Sequence, residues 1–436
     1  MSGRFYTCAF GDFATDLDDV FIRKDFVVEG GLYAAGARFN DITVTSCSST
    51  FSPVTVSGNY IRWKQISGGS PTNNYAIDCE GLLYAWGTNS DCLLGTCSTI
   101  ATARSTPALI AGTTPFKWKC VYGQGNCIFP GGAAAIRCDG TLWAWGRNDC
   151  GRLGNGNVSN ANSPVQVLPT TGGNCWKEVA MGYEHTLGIK TDGTLWAWGK
   201  NRVGQLGDGT TVSKSTPIQI GFCRDWYKLP KNMGTGERSF AIKCDGTLWS
   251  WGLNGTSQQL GDSTTTCRSS PVQVITSETF CEVATGAVFG IAITRSGKLY
   301  TWGRNCHGLL GINCSDGTFV STPVVPCCGE TGWKTLAIHT NAGSTNTVTG
   351  SGGVVAIKKD GSAWAWGYDC CTGALGLGGT GIVCYSTPVQ IAGANNWIAV
   401  SITSPYADGP TYMLRGETTT LTCDAYDWYN TYRELM

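Results

Sequence analysis

One phrase constrains this chain more than any other feature. GTLWAWGRN (Gly140–Asn148) returns as GTLWAWGKN (Gly193–Asn201) and GTLWSWG (Gly246–Gly252), at a constant spacing of 53 residues. Aligned on its closing glycine, the phrase occurs seven times, at Gly36, Gly87, Gly146, Gly199, Gly252, Gly303 and Gly367. The copies lie 51 to 64 residues apart, a period that belongs to propellers and solenoids. Two further phrases keep step with it. A Ser/Thr-Pro strand begins at Ser52, Thr106, Ser163, Thr216, Ser270, Thr322 and Thr387. An aromatic-led strand begins at Trp63, Trp118, Trp176, Trp226, Phe280, Trp333 and Trp397.

Each repeat therefore offers four short strands. Asp139-Gly140, Asp192-Gly193, Asp245-Gly246 and Asp360-Gly361 predict tight type I′ hairpin turns, with weaker versions at Glu80-Gly81 and Ser296-Gly297. The arm LWAW is apolar on both faces, so it needs cover on both sides. Face-to-face blades supply that cover. The expectation is all-β: a seven-bladed β-propeller over 29–416, flanked by an N-terminal anchoring segment, 1–28, and a C-terminal tail, 417–436. The chain opens mid-repeat and its last strands, at Trp397 and Tyr412, supply the missing half. The ring would then be closed by pairing of the two terminal repeat halves, which removes open sheet edges.

The unit WKEVAMGYEHTLGIKTDGTLWAWGKNRVGQLGDGTTVSKSTPIQI (Trp176–Ile220) resembles the regulator of chromosome condensation repeat family. The likeness rests on W-x-x-V, G-x-x-H-T-L, D-G-x-L-W-x-W-G-x-N, G-Q-L-G and the Pro strand, and runs over about residues 29–416. It implies the seven-bladed fold. It leaves function open, because that family includes GTPase exchange factors, chromatin binders and ubiquitin ligase modules. A second likeness covers FGDFATDLDDVFIRKD (Phe10–Asp25), which is similar to the start of structural proteins of tailed marine bacteriophages. There Phe13, Asp16, Leu17, Asp18 and Phe21 mix acidic and apolar residues, as an anchor strand would.

Charge narrows the partners. Lys+Arg and Asp+Glu balance at 31 each, so the chain has no net basic footprint for nucleic acid. No apolar run is long enough for membrane insertion, and the N-terminus lacks the pattern of a secretory signal.

Candidate chemistry is sparse. His185 shares its repeat slot with Phe289, which marks a packing position. His307 and His339 fall in other registers, and none of the three forms a triad pattern. No catalytic residue, metal site or cofactor is implied: Cys314-Ser-Asp-Gly and the Asp16 segment lack calcium-loop spacing. The 22 cysteines contain no C-x-x-C. Register-matched ones (Cys79, Cys138, Cys244) read as small core residues. Cys92 with Cys97, Cys306 with Cys314, and Cys384 with Cys370 or Cys371 are candidate loop disulfides.

Three connections between the aromatic-led strand and the next are long: 123–132, 339–353 and the stretch from Thr403. Their common register places them on one face, with Asn126, Phe129, Asn341, Asn346, Tyr406 and Asp408 as candidate partner contacts. Two functional readings follow. The first is a non-enzymatic structural or adhesive virion protein, tied to other virion proteins by its N-terminal segment and meeting a host-surface receptor. The alternative is a cytoplasmic propeller that binds a protein partner, such as a small GTPase.

Overall fold

Six of the repeats each form one antiparallel sheet in the computed structural model. It describes residues 42–43, 55–56, 63–68, 73–89, 93–96, 103–110, 116–124, 131–168, 173–231, 233, 236–286, 288–314, 316–327, 329–340, 352–369, 375, 377, 383–391, 397–402 and 411–415. The chain divides into two units, Met1–Arg62 and Trp63–Met436. In the first, β1 (Ile42–Thr43) pairs antiparallel with β2 (Thr55–Val56).

Among the described residues the second unit holds six four-stranded blades. Blade one is β3 (Trp63–Gly68), β4 (Asn73–Asp78), β5 (Leu83–Gly87) and β6 (Arg104–Leu109). Blade two is β7 (Trp118–Gly123), β8 (Gly132–Arg137), β9 (Leu142–Gly146) and β10 (Ala161–Gln166). Blade three is β11 (Trp176–Met181), β12 (His185–Lys190), β13 (Leu195–Gly199) and β14 (Lys214–Gln219). Blade four is β15 (Trp226–Lys228), β16 (Arg238–Lys243), β17 (Leu248–Gly252) and β18 (Arg268–Gln273). Blade five is β19 (Phe280–Thr285), β20 (Phe289–Thr294), β21 (Leu299–Asn305) and β22 (Thr318–Val324). Blade six is β23 (Trp333–Thr340), β24 (Gly352–Lys358), β25 (Ala363–Asp369) and β26 (Val383–Gln390). A two-stranded sheet, β27 (Trp397–Ile402) with β28 (Thr411–Arg415), follows. Among the described residues the only helical turn is Gly255–Ser257.

The repeated phrase explains these sheets atom by atom. In blade two the Gly140 amide donates to the Arg137 carbonyl (2.9 Å), and only Gly140 of the turn has a positive φ, +82°. That is a type I turn closed by a left-handed glycine, not the expected type I′ turn, in which Asp139 would also have positive φ. The Asp139 carboxylate accepts both the amide (2.8 Å) and the hydroxyl (2.6 Å) of Thr141, which holds the turn in this form. The Thr141 hydroxyl in turn accepts the Trp143 indole N–H at 2.9 Å. Blades three, four and six repeat this relay at Trp196, Trp249 and Trp364.

In blades two to six the second tryptophan of the phrase ties the blade to the one before it. The indoles of Trp145, Trp198, Trp251, Trp302 and Trp366 donate to the carbonyls of Leu93, Arg152, Gln205, Gln259 and Leu309, at 2.8–3.0 Å. All five rings are fully buried, so each one fills space and leaves no orphaned N–H. The apolar clusters accordingly lie between neighbouring blades: one joins Ile136 and Leu153 of blade two to Val179 and Trp198 of blade three. A cation covers the first tryptophan. Lys190, Lys243, Lys358 and Arg137 sit 3.7–4.8 Å from the ring centres of Trp196, Trp249, Trp364 and Trp143.

The Pro strand is the outermost strand of each blade, where a missing N–H is tolerated. Its pairing with the third strand carries a register shift in every one of the six blades. At the opposite edge, first strands of successive blades are neighbours. β3 lies beside β7, β7 beside β11, β19 beside β23 and β23 beside β27; β27 also approaches β3. The Leu229 amide donates to Glu178 of β11, and Lys231 pairs with Glu282 of β19, which joins blades three, four and five.

Candidate functional site: a charged network on the loop face

Two connections of every blade emerge at the same end of its sheet: first strand to second, and third strand to fourth. The long connections named above are of the first kind, since β7 ends at Gly123 and β8 begins at Gly132, while 341–351 joins β23 to β24. Asn126, Phe129, Asn341, Asn346, Tyr406 and Asp408 lie outside the described residues, as do the anchor candidates Phe13, Asp16, Leu17, Asp18 and Phe21.

What the described part of this face does present is a network of ion pairs and hydrogen bonds across blades two, three and four. In blade two, Asp149 is gripped by Arg147 (2.8 Å) and Arg152 (2.9 Å). Arg152 reaches on to the Tyr183 carbonyl of blade three at 2.8 Å. Gln124 crosses the same seam, donating to the carbonyls of Gly182 and Tyr183 and accepting the Gly132 amide. The Cys150 thiol donates to Glu184 at 3.5 Å. Lys200 then bridges Glu184 and Glu237 of blade four, and Arg202 binds Glu237 at 3.0 Å. Arg202 stands outward from this network, 63% exposed.

The charges hold one another. Burial works against the Lys200 ammonium, but Glu184 and Glu237 outweigh it and raise its pKa. Burial likewise opposes the Asp149 carboxylate, and Arg147 with Arg152 still bring its pKa down. Burial, with Glu184 and Asp149 adding, pushes the Cys150 thiol up, so it stays protonated. The ligand atoms of Asp149, Cys150 and Glu184 all lie within 4.8 Å of one another, a spacing that could hold a metal. A cation there would have to displace Arg147, Arg152 and Lys200, and to deprotonate a thiol whose pKa is already raised. The donor set does not fit a metal centre.

Beneath the network lies His185, fully buried, with Nε2 2.9 Å from the Ser239 hydroxyl. Burial lowers its pKa to about 3, Arg152 adding, so the ring is neutral. Its Nδ1 meets no hydrogen-bonding partner, and no solvent reaches the pair. This is packing rather than a nucleophile with its base. The repeat slot confirms it: His185, Arg238 and Phe289 begin β12, β16 and β20 and face Gly199, Gly252 and Gly303. His307 packs its ring against Tyr368 at 5.1 Å, and His339 lies within β23.

The cysteine expectations need correcting. Cys306 and Cys314 are free thiols: Cys306 turns into the apolar cluster of blades five and six, whereas Cys314 is exposed. Cys384 is free and exposed; Cys92, Cys97, Cys370 and Cys371 lie outside the described residues. Cys79, Cys138 and Cys244 are exposed rather than core residues, because the position before the turn points to solvent.

Sequence reasoning overlooked Glu184, Lys200, Arg202 and Glu237. The signal was present: Glu184 and Glu237 each stand immediately before the slot residue, as Glu-His and Glu-Arg.

Comparison with known families decides the repeat. The regulator of chromosome condensation (RCC1) repeat matches 139–189, 192–228 and 245–293, and a second model of that repeat matches 176–205 and 280–309. The chain carries RCC1 repeats. It is 29% identical to the E3 ubiquitin-protein ligase HERC2 of Mus musculus over 74% of its own length, but spans only 6% of that protein. It is 28% identical to the Ultraviolet-B receptor UVR8 of Arabidopsis thaliana, over 61% of this chain and 58% of that one. Among solved structures, Prp20p of Saccharomyces cerevisiae, described with its binding to Gsp1p and histones, superposes with a TM-score of 0.62. The identity there is 21%, covering 85% of each chain, which shows a shared fold. These relatives are cellular proteins, and a virion role draws no support from them.

Proposed function

We propose that this chain is a non-enzymatic RCC1-repeat propeller that binds a protein partner through its loop face. The observation that carries the reading is the network from Arg147 to Arg202, which fixes charged side chains on the face where the long connections emerge. Held charges of both signs suit a protein surface, where complementary patches steer docking and set specificity. The mixed signs argue against nucleic acid, which would call for a run of cations. The proposed ring has seven blades, as the seven copies of the repeated phrase imply; the approach of β27 to β3 supports its closure. We place the long connections, with Phe129, Asn341 and Tyr406, at the rim of the same interface.

The test is affinity capture with the whole chain as bait against extract from its source, comparing wild type with Arg202→Glu, a substitution at an exposed position that leaves Lys200 between Glu184 and Glu237. The proposal expects a protein retained by the wild type and lost from the variant, with unchanged thermal unfolding. Equal recovery on both baits overturns the loop-face assignment. If the partner is a small GTPase, a nucleotide-release assay decides whether binding accelerates exchange, the property that Prp20p's link to Gsp1p makes worth measuring.

A further inference from the structure

On the loop face of blades two to five, the residue after the closing glycine takes one fixed place. Its amide donates to the carbonyl of the residue before the slot: Arg147 to Gly131, Lys200 to Glu184, Leu253 to Glu237 and Arg304 to Val288, at 2.8–3.0 Å. Arg147, Lys200 and Arg304 put a cation there. Two of the three are met by carboxylates. Arg147 pairs with Asp149, two residues on, and Lys200 pairs with Glu184 of its own blade and Glu237 of the next.

Blade five keeps the cation and lacks each of those carboxylates. Val288 stands where Glu184 does, and Cys306 stands where Asp149 does. Gly352, which precedes the slot of blade six, stands where Glu237 does relative to blade three. Asp316, in the connection from β21 to β22, accepts the His307 amide at 2.7 Å instead. Among the described residues Arg304 has no ion pair and no side-chain hydrogen bond, and its Nε is buried without an acceptor. A charged donor left unmet costs free energy that an incoming acceptor recovers.

The same blade fixes this guanidinium in place. In blades one to four the ladder between third and fourth strands ends at the closing glycine. In blade five it runs two residues further, pairing Arg304 with Phe319 and Asn305 with Thr318. The Phe319 ring, 45% exposed, lies 5.6 Å from the guanidinium carbon of Arg304. A guanidinium against an aromatic face keeps its N–H fork for a planar acceptor.

From this geometry we infer that Arg304 and Phe319 form the docking point for a carboxylate of the protein partner, an Asp or Glu side chain that does for blade five what Glu184 does for blade three. The inference rests on partner binding at the loop face and names the chemistry of one contact. A carboxylate is favoured over a phosphate because the site offers a single cation, in a place that carboxylates fill elsewhere in this chain.

The test is NMR of the whole chain labelled at arginine Nε, titrated at low ionic strength with N-acetyl-triglutamate amide, with the triglutamine analogue and inorganic phosphate in parallel. Arg304→Gln assigns the Arg304 Nε–Hε signal. Triglutamate should shift that signal saturably at millimolar concentration, and added salt should weaken the effect. The signals of Arg147, Arg152 and Arg268, already paired, should move far less. Triglutamine should leave Arg304 unmoved, and phosphate should bind several-fold more weakly than triglutamate. Phe319→Ala should weaken the peptide several-fold. Val288→Glu, which restores the missing carboxylate, should shift the Arg304 signal by itself and abolish the response to peptide. Should Val288→Glu fail to fold, the exposed Phe319→Ala decides. No saturable shift, an equal shift of the paired arginines, phosphate binding as tight as the peptide's, or indifference to Phe319→Ala overturns the proposal. Equal capture on wild-type and Arg202→Glu baits overturns the loop-face assignment and leaves the titration standing, whereas a failed titration with capture intact overturns the Arg304 site alone.

Discussion

Replacing His185 with phenylalanine tests the reading of the buried slot beneath the ionic network. The structure supplies its own precedent, since Phe289 occupies the equivalent position in blade five and is fully buried. The loop above closes identically in both blades: the Gly182 amide donates to the His185 carbonyl (2.8 Å), and the Gly286 amide to that of Phe289 (3.0 Å). At pH 7 the variant loses the bond to Ser239, whose hydroxyl still reaches the Gln205 carbonyl, so the cost is about 1 kcal/mol. Acid reverses the balance. His185 has a folded pKa of about 3 against an ordinary 6.5, so the unfolded chain binds the extra proton between those values. Its penalty is absent above pH 6.5 and complete below about pH 3. Between pH 7 and pH 4 that linkage removes about 3 kcal/mol of stability from the wild type and nothing from the variant. The carboxylates with lowered pKa, such as Asp149 and Asp262, also lose stabilisation as pH falls, but they do so equally in both proteins. Urea unfolding followed by tryptophan fluorescence at the two pH values measures the difference. An equal loss of stability in both proteins would refute the buried, neutral histidine.

Four other substitutions probe the repeat. Gly207→Ala should cost more than about 2 kcal/mol, because its φ is +80° and a Cβ would meet the buried Trp251 ring at 2.7 Å. Gly221→Ala, at φ +62° with open space around it, should cost only about 1 kcal/mol by the same denaturation assay. Asn201→Ala should cost about 2–3 kcal/mol and raise backbone hydrogen exchange over 202–213, since its side chain accepts the Leu206 amide and donates to Asp208 and Thr210. Trp251→Phe leaves the Gln205 carbonyl without its indole donor. It should cost about 1–3 kcal/mol and loosen the seam between blades three and four, seen as faster exchange in β13 and β17.

The strands were legible in the sequence because three phrases recur in fixed order and each has one physical job. The Asp-Gly pair marks the hairpin, the Trp-x-Trp arm fills two blade seams, and the proline marks an edge. The turn type was not legible. Both turn families accept Asp-Gly, and the choice here follows from Thr141 bonding to Asp139, a contact that appears only once the arms are paired. The exposed cysteines before the turns misled for a related reason: repetition at a position shows equivalence, not burial. The ionic network was harder still. Glu184 and Lys200 meet within one blade, but Lys200 with Glu237, and Arg152 with Tyr183, meet across seams between residues more than 30 positions apart. The contact face was read from connection lengths alone, and those same lengths could not name Arg202 as the most exposed charge of the network.

The most direct test of the central claim is site-specific photo-crosslinking in source extract. A photoreactive residue is placed at Arg202 on the loop face and, separately, at Phe222, which is 96% exposed in the connection from β14 to β15 at the other end of the blades. The account predicts one protein adduct that forms from position 202 and is absent from position 222. Adducts at 222 with none at 202, or the same adducts from both, would contradict it.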